Sequence, residues 1–199
     1  LLCGTGRGFP LANRAGICDA VGIGAAGQPR GERGENTMFR EMRRGRQALS
    51  ENACGEILAR GTSGVLAVCG DEGWPYAVPL SYVYSAGRVW FHCAPAGHKL
   101  DAMKRDDKAS FCVVDKNELH PETYTTHFCS VIAFGRTRII VDGDEKRRAL
   151  MRIAEKFGPE GDDQGRNKEV DATIARACLV EFSIERLTGK QAKELVKKQ

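Results

Sequence analysis

Hydrophobic positions recur in strand-length runs along the chain from residue 64 onward, and short polar turns separate these runs. The runs cover residues 64–70, 75–84, 88–94, 109–115, 127–142 and 177–184. The breaks at 71–73 (Asp-Glu-Gly) and 85–87 (Ser-Ala-Gly) have hairpin length and contain glycine. They predict that the first three strands form an antiparallel meander.

Three other segments carry the spacing of helices. Ser50 suits the N-cap of a helix over 50–60, a second helix opens at His98, and a third covers 144–157. The segment 158–168 has no apolar anchor, which predicts a surface loop. Six strands with short turns and few helices favour a small, partly closed antiparallel barrel over a parallel sheet.

The first 37 residues differ from the rest of the chain. They hold nine of the 23 glycines and follow neither a helical nor a strand period, so we predict a disordered leader over 1–37. Residues 22–27 (GIGAAG) fit the dinucleotide-binding spacing, but a proline and two more glycines follow where that motif needs a helix. The glycine pattern therefore does not indicate a nucleotide site.

The foldable pattern begins only after Met38, and the codons of Gly34-Glu35 can spell a ribosome-binding site just before it. Our hypothesis is that Met38 is the natural start, and a mass including Leu1 in protein made from the native gene would contradict it. We predict one domain over 38–188, because 199 residues bury one core but hardly two. The lysine-rich segment 189–199 is predicted to be a basic tail helix.

Composition narrows the classes of function. The net charge of +4 is modest and spread along the chain, which gives little support to nucleic-acid binding. No Cys-x-x-Cys pair occurs and most cysteines lie inside apolar runs, so we expect neither a disulfide framework nor a zinc site. No apolar run approaches the roughly 18 residues of a membrane span. We expect a cytoplasmic protein without a membrane partner.

Two positions inside the predicted strands break the rules for strands. Gly135 marks a bulge or a sharp bend of the barrel. Pro79 cannot donate to a ladder and must lie on an edge or at a bulge. The interrupted ladder leaves backbone groups of Val78, Leu80 and Ser81 free, where a flat heteroaromatic ligand would fit.

The tripeptide Gly97-His98-Lys99 opens the second helix with two basic side chains. Cations in the first turn oppose the helix dipole by roughly 0.3–1 kcal/mol unless an anion compensates. Free N–H groups and a glycine at the helix mouth let an anion approach closely, which favours a phosphate site over a merely solvated Lys99. His92 stands alone on a strand without metal-ligand spacing, and by itself that pattern is more typical of a structural histidine.

Four stretches occur in order and at family-like spacing: DEGWPYAVPLSYVY, VWFHCAPAGHKLDAM, SVIAFGRTRI and SIERLTGK. On these stretches the chain resembles the pyridoxamine phosphate oxidase-like FMN-binding split barrels, most closely their nitroimidazole-resistance branch. The resemblance implies a mainly β (α+β) fold, a six-stranded antiparallel split β-barrel with flanking helices. It also implies a homodimer that holds FMN at each end of the subunit interface.

The resemblance further implies roles for individual residues. His92 matches the active-site histidine proposed for the nitroimidazole-resistance proteins, and Ser130 falls on a strand near the flavin. Cofactor contacts are implied for Val78, Pro79, Leu80 and Ser81 along the isoalloxazine, and for Ala94, Gly97, His98 and Lys99 around the ribityl phosphate. The family commonly has Tyr or Arg before that Ser-Val pair, whereas this chain has His127-Phe128-Cys129.

The function implied is that of an FMN-dependent oxidoreductase, nitroreductase-like, which reduces small acceptors such as nitroaromatics or quinones. His92 is its natural proton donor. The alternative is a non-enzymatic flavin- or haem-binding module for storage or sensing, and a deazaflavin is a third cofactor possibility. No metal is predicted in either reading.

Overall fold

The computed structural model describes residues 39–196. The predicted leader with its GIGAAG stretch and the proposed start at Met38 lie outside the described residues, as do residues 197–199. The elements are α1 Glu51–Arg60, β1 Ser63–Cys69, β2 Pro75–Ser81, β3 Val83–Ser85, β4 Arg88–Cys93, α2 His98–Arg105, β5 Lys108–His120, β6 Thr125–Ile140, α3 Gly143–Phe157, α4 Asp163–Ile174 and β7 Cys178–Gln191.

The strands form one antiparallel sheet in the order β2-β1-β5-β6-β7-β4-β3. Its two edge strands, β2 and β3, are consecutive along the chain and only Tyr82 separates them. The sheet must therefore curl until its edges meet, which makes a split barrel and confirms the predicted fold class. The count is seven because the predicted 75–84 strand is broken in two.

That break corrects the predicted meander. β1 pairs with β2, and β3 pairs with β4, but β2 and β3 lie at opposite edges of the sheet. Tyr82 at the break is fully buried, and its hydroxyl donates a hydrogen bond of 2.8 Å to the Leu58 carbonyl. The burial of the Tyr82 ring and the hydrogen bond from its hydroxyl to Leu58 together stabilise this corner of the barrel.

Both exceptions to the strand rules have the predicted geometry. Pro79 lies on the edge strand β2, opposite Val65, where no second neighbour needs its missing N–H. Gly135 lies where the β6–β7 register shifts, and a Cβ there would collide with the carbonyl oxygen of Ser183. The bulge requires glycine because two backbones approach closely.

Two apolar clusters stabilise the fold. The first fills the barrel and includes Leu66, Phe91, Phe111 and Phe182. The second lies where Trp90 and neighbouring strand residues pack against α3 and α4. Because side chains alternate along β4, Phe91 enters the first cluster and Trp90 the second.

The helix α4 replaces much of the loop predicted over 158–168. Asp162 caps it by accepting a hydrogen bond of 2.8 Å from the Gly165 N–H, and Val170 is its buried anchor. The loop prediction was wrong because it stopped at residue 168, before this single anchor. Within residues 39–196, no helix combines the length and the apolar character needed to cross a membrane.

The predicted tail helix is wrong over its first part. Residues 189–191 complete β7, and only Lys193–Leu195 form a short 3-10 turn. Gly189 lies against the Cys54 side chain of α1, and its carbonyl accepts a hydrogen bond from the Leu49 N–H at 2.9 Å. The missing side chain of glycine allows this close approach, so packing on α1 outweighs the polar character of the segment.

Candidate functional site

The entrance of α2 has a backbone that only glycine adopts readily. Gly97 is the N-cap with φ +126° and ψ 168°, a region closed to side chains by steric clash. Its carbonyl accepts the Leu100 N–H at 2.9 Å and so closes the first turn. The first N–H groups of a helix have no partner within it, and glycine offers no side chain to cap them.

A cavity of about 180 Å³ lies at this helix entrance. Four of the residues predicted to hold a cofactor line it together, namely Ala94, Gly97, His98 and Lys99. The rest of the lining consists of Tyr76, Cys93, Ala96 and Leu100. The four residues of the predicted turn therefore line one cavity, and the end of β4 forms one of its walls.

The two basic side chains of the tripeptide have different surroundings. The His98 ring stacks on Tyr76 with centroids 4.3 Å apart, and its Nε2 lies 3.6 Å from the Asp71 carboxylate. The Lys99 ammonium lies 5.9 Å from the Phe91 ring centre. Lysine and arginine later in the helix pair with carboxylates, whereas Lys99 has no such pair within residues 39–196. Lys99 is therefore the cation available to an added anion.

The thiol of Cys93 borders the same cavity. Burial raises its pKa to about 11, although the nearby Lys99 ammonium acts in the opposite direction. The thiol is therefore neutral at physiological pH and does not neutralise Lys99. An anion entering the cavity meets a positive side chain, free N–H groups and no competing negative charge from Cys93.

His92 lies on the other face of β4 and lines a second cavity, of about 680 Å³. This cavity lies between the end of β4 and the helices α3 and α4, and Cys93 and Ala94 border both cavities. Its apolar lining comes mainly from Leu150, Ile153, Ala154, Phe157 and Val170. The predicted catalytic histidine is therefore separated from Lys99 by the strand itself.

Arg166 in α4 also lines the large cavity, although no motif in the sequence indicates it. Its Nε is buried without a hydrogen-bond partner in the described residues, although its NH1 pairs with Asp163 at 2.9 Å. A buried donor without a partner is costly, so the Arg166 guanidinium has an unmet hydrogen-bonding requirement at the wall of this cavity. Only the correct assignment of α4 as a helix could have indicated this residue.

The outer face of the sheet carries a row of uncharged residues across four neighbouring strands. Strand pairing aligns Pro79, Val65, Cys112 and Ile132, and directly paired residues point to the same side. Val65 and Ile132 are 38% and 40% exposed. We call this row and its same-side neighbours the outer face.

Three predicted site residues lie on the outer face: Pro79, Ser81 and Ser130. Ser130 is paired with Val114, which is 63% exposed. Val78 and Leu80 alternate with them and pack against the barrel core, so only their backbone groups can contact a ligand on the outer face. The predicted residues thus fall into three places: the small cavity, the large cavity and the outer face.

The family model described as pyridoxamine 5'-phosphate oxidase matches residues 50–191, which is most of the chain. The chain belongs to this family. An uncharacterized protein of Rhizobium meliloti (strain 1021) is 32% identical over 69 residues, which cover 35% of this chain and 44% of that protein. The matched segment therefore spans less than half the length of this relative.

Three solved structures share the fold. A conserved hypothetical protein of Mycobacterium tuberculosis has a TM-score of 0.68 at 18% identity, covering 80% of this chain and 95% of that chain. A candidate 5-nitroimidazole antibiotic resistance protein of Bacteroides thetaiotaomicron has a TM-score of 0.63 at 19% identity, covering 72% of this chain and 86% of that chain. An FAD and heme binding protein of Mycobacterium smegmatis has 0.62 at 18%, covering 77% of each chain.

Proposed function

We propose that the protein is an FMN-dependent oxidoreductase that reduces small acceptors such as nitroaromatics. One observation carries the proposal: an anion cradle at the Gly97-His98-Lys99 turn borders, through Cys93 and Ala94, the cavity that contains His92. Membership of the pyridoxamine 5'-phosphate oxidase family supports the same reading. The similar fold of a candidate nitroimidazole-resistance protein makes nitroaromatics the first acceptors to test.

The cradle fits the phosphate of FMN. The Lys99 ammonium supplies a charge-assisted hydrogen bond, and the first N–H groups of α2 supply donors aligned with the helix dipole. A Cβ on Gly97 would strain the backbone that opens this entrance. His98 contributes chiefly its backbone, because its ring is already held by Tyr76 and Asp71.

The isoalloxazine ring would lie along β2 on the outer face, beside Pro79, Ser81 and Ser130. A homodimer completes this site, because a second copy would cover the uncharged outer face. Contiguous exposed apolar surface marks an interaction site, and an isologous pair is the commonest solution. The exposed Val65 and Ile132 are the residues that this pairing would bury.

FMN held by Lys99 and the first N–H groups of α2 would supply the redox chemistry between a donor such as reduced nicotinamide and the acceptor. The residues of the chain bind the flavin, orient the acceptor and deliver protons to it. His92 is the proton donor, since histidine is the side chain that most often serves as a general acid. The unpartnered Arg166 Nε lies at the wall of the cavity that contains His92, and a shift of its side chain would let it donate to an oxygen of a molecule bound there.

The test is steady-state turnover by the purified full-length chain loaded with FMN. We expect nitroaromatic-dependent consumption of reduced nicotinamide that requires both the protein and the flavin. A chain that binds FMN but turns over no acceptor in a panel of nitroaromatics and quinones would refute the enzyme assignment.

A non-enzymatic haem- or flavin-binding role is the second candidate. The large apolar cavity with one histidine and two arginines, Arg166 and Arg176, also has the composition of a haem pocket, where imidazole binds iron and arginines bind carboxylates. The fold likeness to an FAD and heme binding protein makes this worth testing. A Soret band that disappears in His92→Ala would support haem binding, and flavin bands alone would exclude haem binding. FMN binding without turnover of any acceptor would support the flavin-binding role.

A further inference from the structure

The end of the β5–β6 hairpin brings together three side chains of the kind that bind metal ions. Glu118 and His120 are two residues apart on β5, so they share one side of the strand, and His127 on β6 is paired directly with Glu118. One ligand atom from each of the three lies within 4.8 Å of the others. No metal site was predicted from the sequence, because the linear spacing of these residues does not indicate a cluster that forms only through strand pairing.

The His120 ring has the kind of carboxylate partner that metal-bound histidines have. Its Nδ1 lies 3.0 Å from the Glu122 carboxylate, while its Nε2 is buried and has no hydrogen-bond partner among residues 39–196. Metal-bound histidines usually donate their other ring N–H to a carboxylate, which fixes the tautomer. Here the His120 Nδ1 is hydrogen-bonded to Glu122, and the His120 Nε2 is the ring nitrogen that could bind the ion.

The second histidine lies against the first. The rings of His120 and His127 have centroids 3.6 Å apart at 31°. Strand pairing also sets Glu118 directly opposite His127. The cluster therefore places one carboxylate beside two adjacent imidazoles.

We propose that Glu118, His120 and His127 form a binding site for a divalent transition-metal ion of the zinc class. Two imidazoles and one carboxylate are ligands that zinc accepts, and three protein ligands leave a fourth tetrahedral position open. Bond lengths of about 2.0–2.1 Å require ligand atoms about 3.3 Å apart. Side-chain rotation on the exposed hairpin provides the necessary approach, and the metal then joins the two strands where they leave the barrel.

One competing contact is visible. The Lys116 ammonium lies 3.8 Å from the Glu118 carboxylate. An exposed pair of this kind contributes little, so the ion displaces Lys116 readily. Removing that ammonium with Lys116→Met should tighten metal binding, because a positive charge next to the site opposes the ion.

The experiment is a calorimetric titration of zinc chloride into chelator-treated full-length protein, repeated with cobalt(II) and visible absorption. We expect a single hairpin ion per chain and a cobalt spectrum without a thiolate charge-transfer band. His120→Ala and His127→Ala should each weaken binding at least 100-fold, and Glu122→Gln about tenfold, because outer-shell partners alone contribute about 10- to 100-fold.

His98→Ala is the matched control, because it removes a histidine that lies outside the hairpin and should leave metal affinity unchanged. Glu122→Gln also guards against misfolding, since it changes one exposed carboxyl without removing bulk. The proposal is overturned if wild-type protein binds neither zinc nor cobalt. It is equally overturned if the hairpin variants bind like wild type, or if a thiolate band places cobalt on cysteines.

Discussion

The Lys99→Met variant tests the anion cradle, because methionine keeps most of the aliphatic stem and removes the charge. Lys99 is half-buried beside Phe91 and has no ion pair within the described chain, so its bond to phosphate would be partly desolvated. A hydrogen bond to a charged group contributes roughly 1.5–3 kcal/mol. At about 1.4 kcal/mol per tenfold, FMN affinity should fall by about 10- to 150-fold.

Lys104→Met in the same helix is the control. Its side chain is 58% exposed and its ammonium lies 4.0 Å from the Asp101 carboxylate, so FMN affinity should change less than about threefold. Fluorescence titration measures both affinities, and riboflavin provides the second arm because it lacks the phosphate. The reasoning is refuted if Lys99→Met weakens riboflavin and FMN equally, since Lys99 would then act on the ring or the fold.

Three further predictions follow from the site and the fold. His92→Ala should lower acceptor turnover while FMN stays bound, and loss of the flavin in equilibrium dialysis would assign His92 to binding instead. Ile132→Asp on the outer face should shift sedimentation from dimer to monomer, whereas Val141→Asp, at a residue 86% exposed outside that face, should not. The free energy of unfolding should fall between about pH 9 and pH 11, because the unfolded Cys93 thiol loses its proton near pH 8.5–9 while burial raises the folded pKa to about 11. Denaturant titrations of Cys93→Ala should show a shallower fall, and an unchanged slope would contradict the assigned cause.

Local rules were sufficient for much of the fold. Ser50 as an N-cap, Pro79 on an edge and Gly135 at a bulge follow from steric and hydrogen-bonding requirements that act within a few residues. The same is true of the helix that opens at His98. These are the positions where the residue type permits few conformations.

The pairing of strands that are distant along the chain could not be predicted from the sequence. The 75–84 run shows no sign of its break at Tyr82, because inward alternation continues through that residue and only the closing of the barrel requires the corner. The β5–β6 hairpin extends through a polar segment whose residues pair only with each other. Residues 189–191, which were predicted to begin a helix, belong to β7 because Gly189 packs on α1.

The candidate site divides in the same way. Ala94, Gly97, His98 and Lys99 are close in sequence and share one cavity. The position of His92 in a separate cavity depends on which face of β4 the helices α3 and α4 cover, and Arg166 depends on α4 itself. Contacts between residues close in sequence could be predicted, whereas contacts that depend on how helices pack on the sheet could not.

The most direct test of the proposed function is an anaerobic single-turnover measurement. The full-length protein is loaded with FMN, reduced with one equivalent of a chemical reductant, and mixed with a nitroaromatic while the flavin absorbance is followed. The account predicts that oxidised-flavin absorbance returns as the acceptor is consumed, and that it returns more slowly in His92→Ala. Flavin that stays reduced, or that is reoxidised no faster than free reduced FMN, would contradict it.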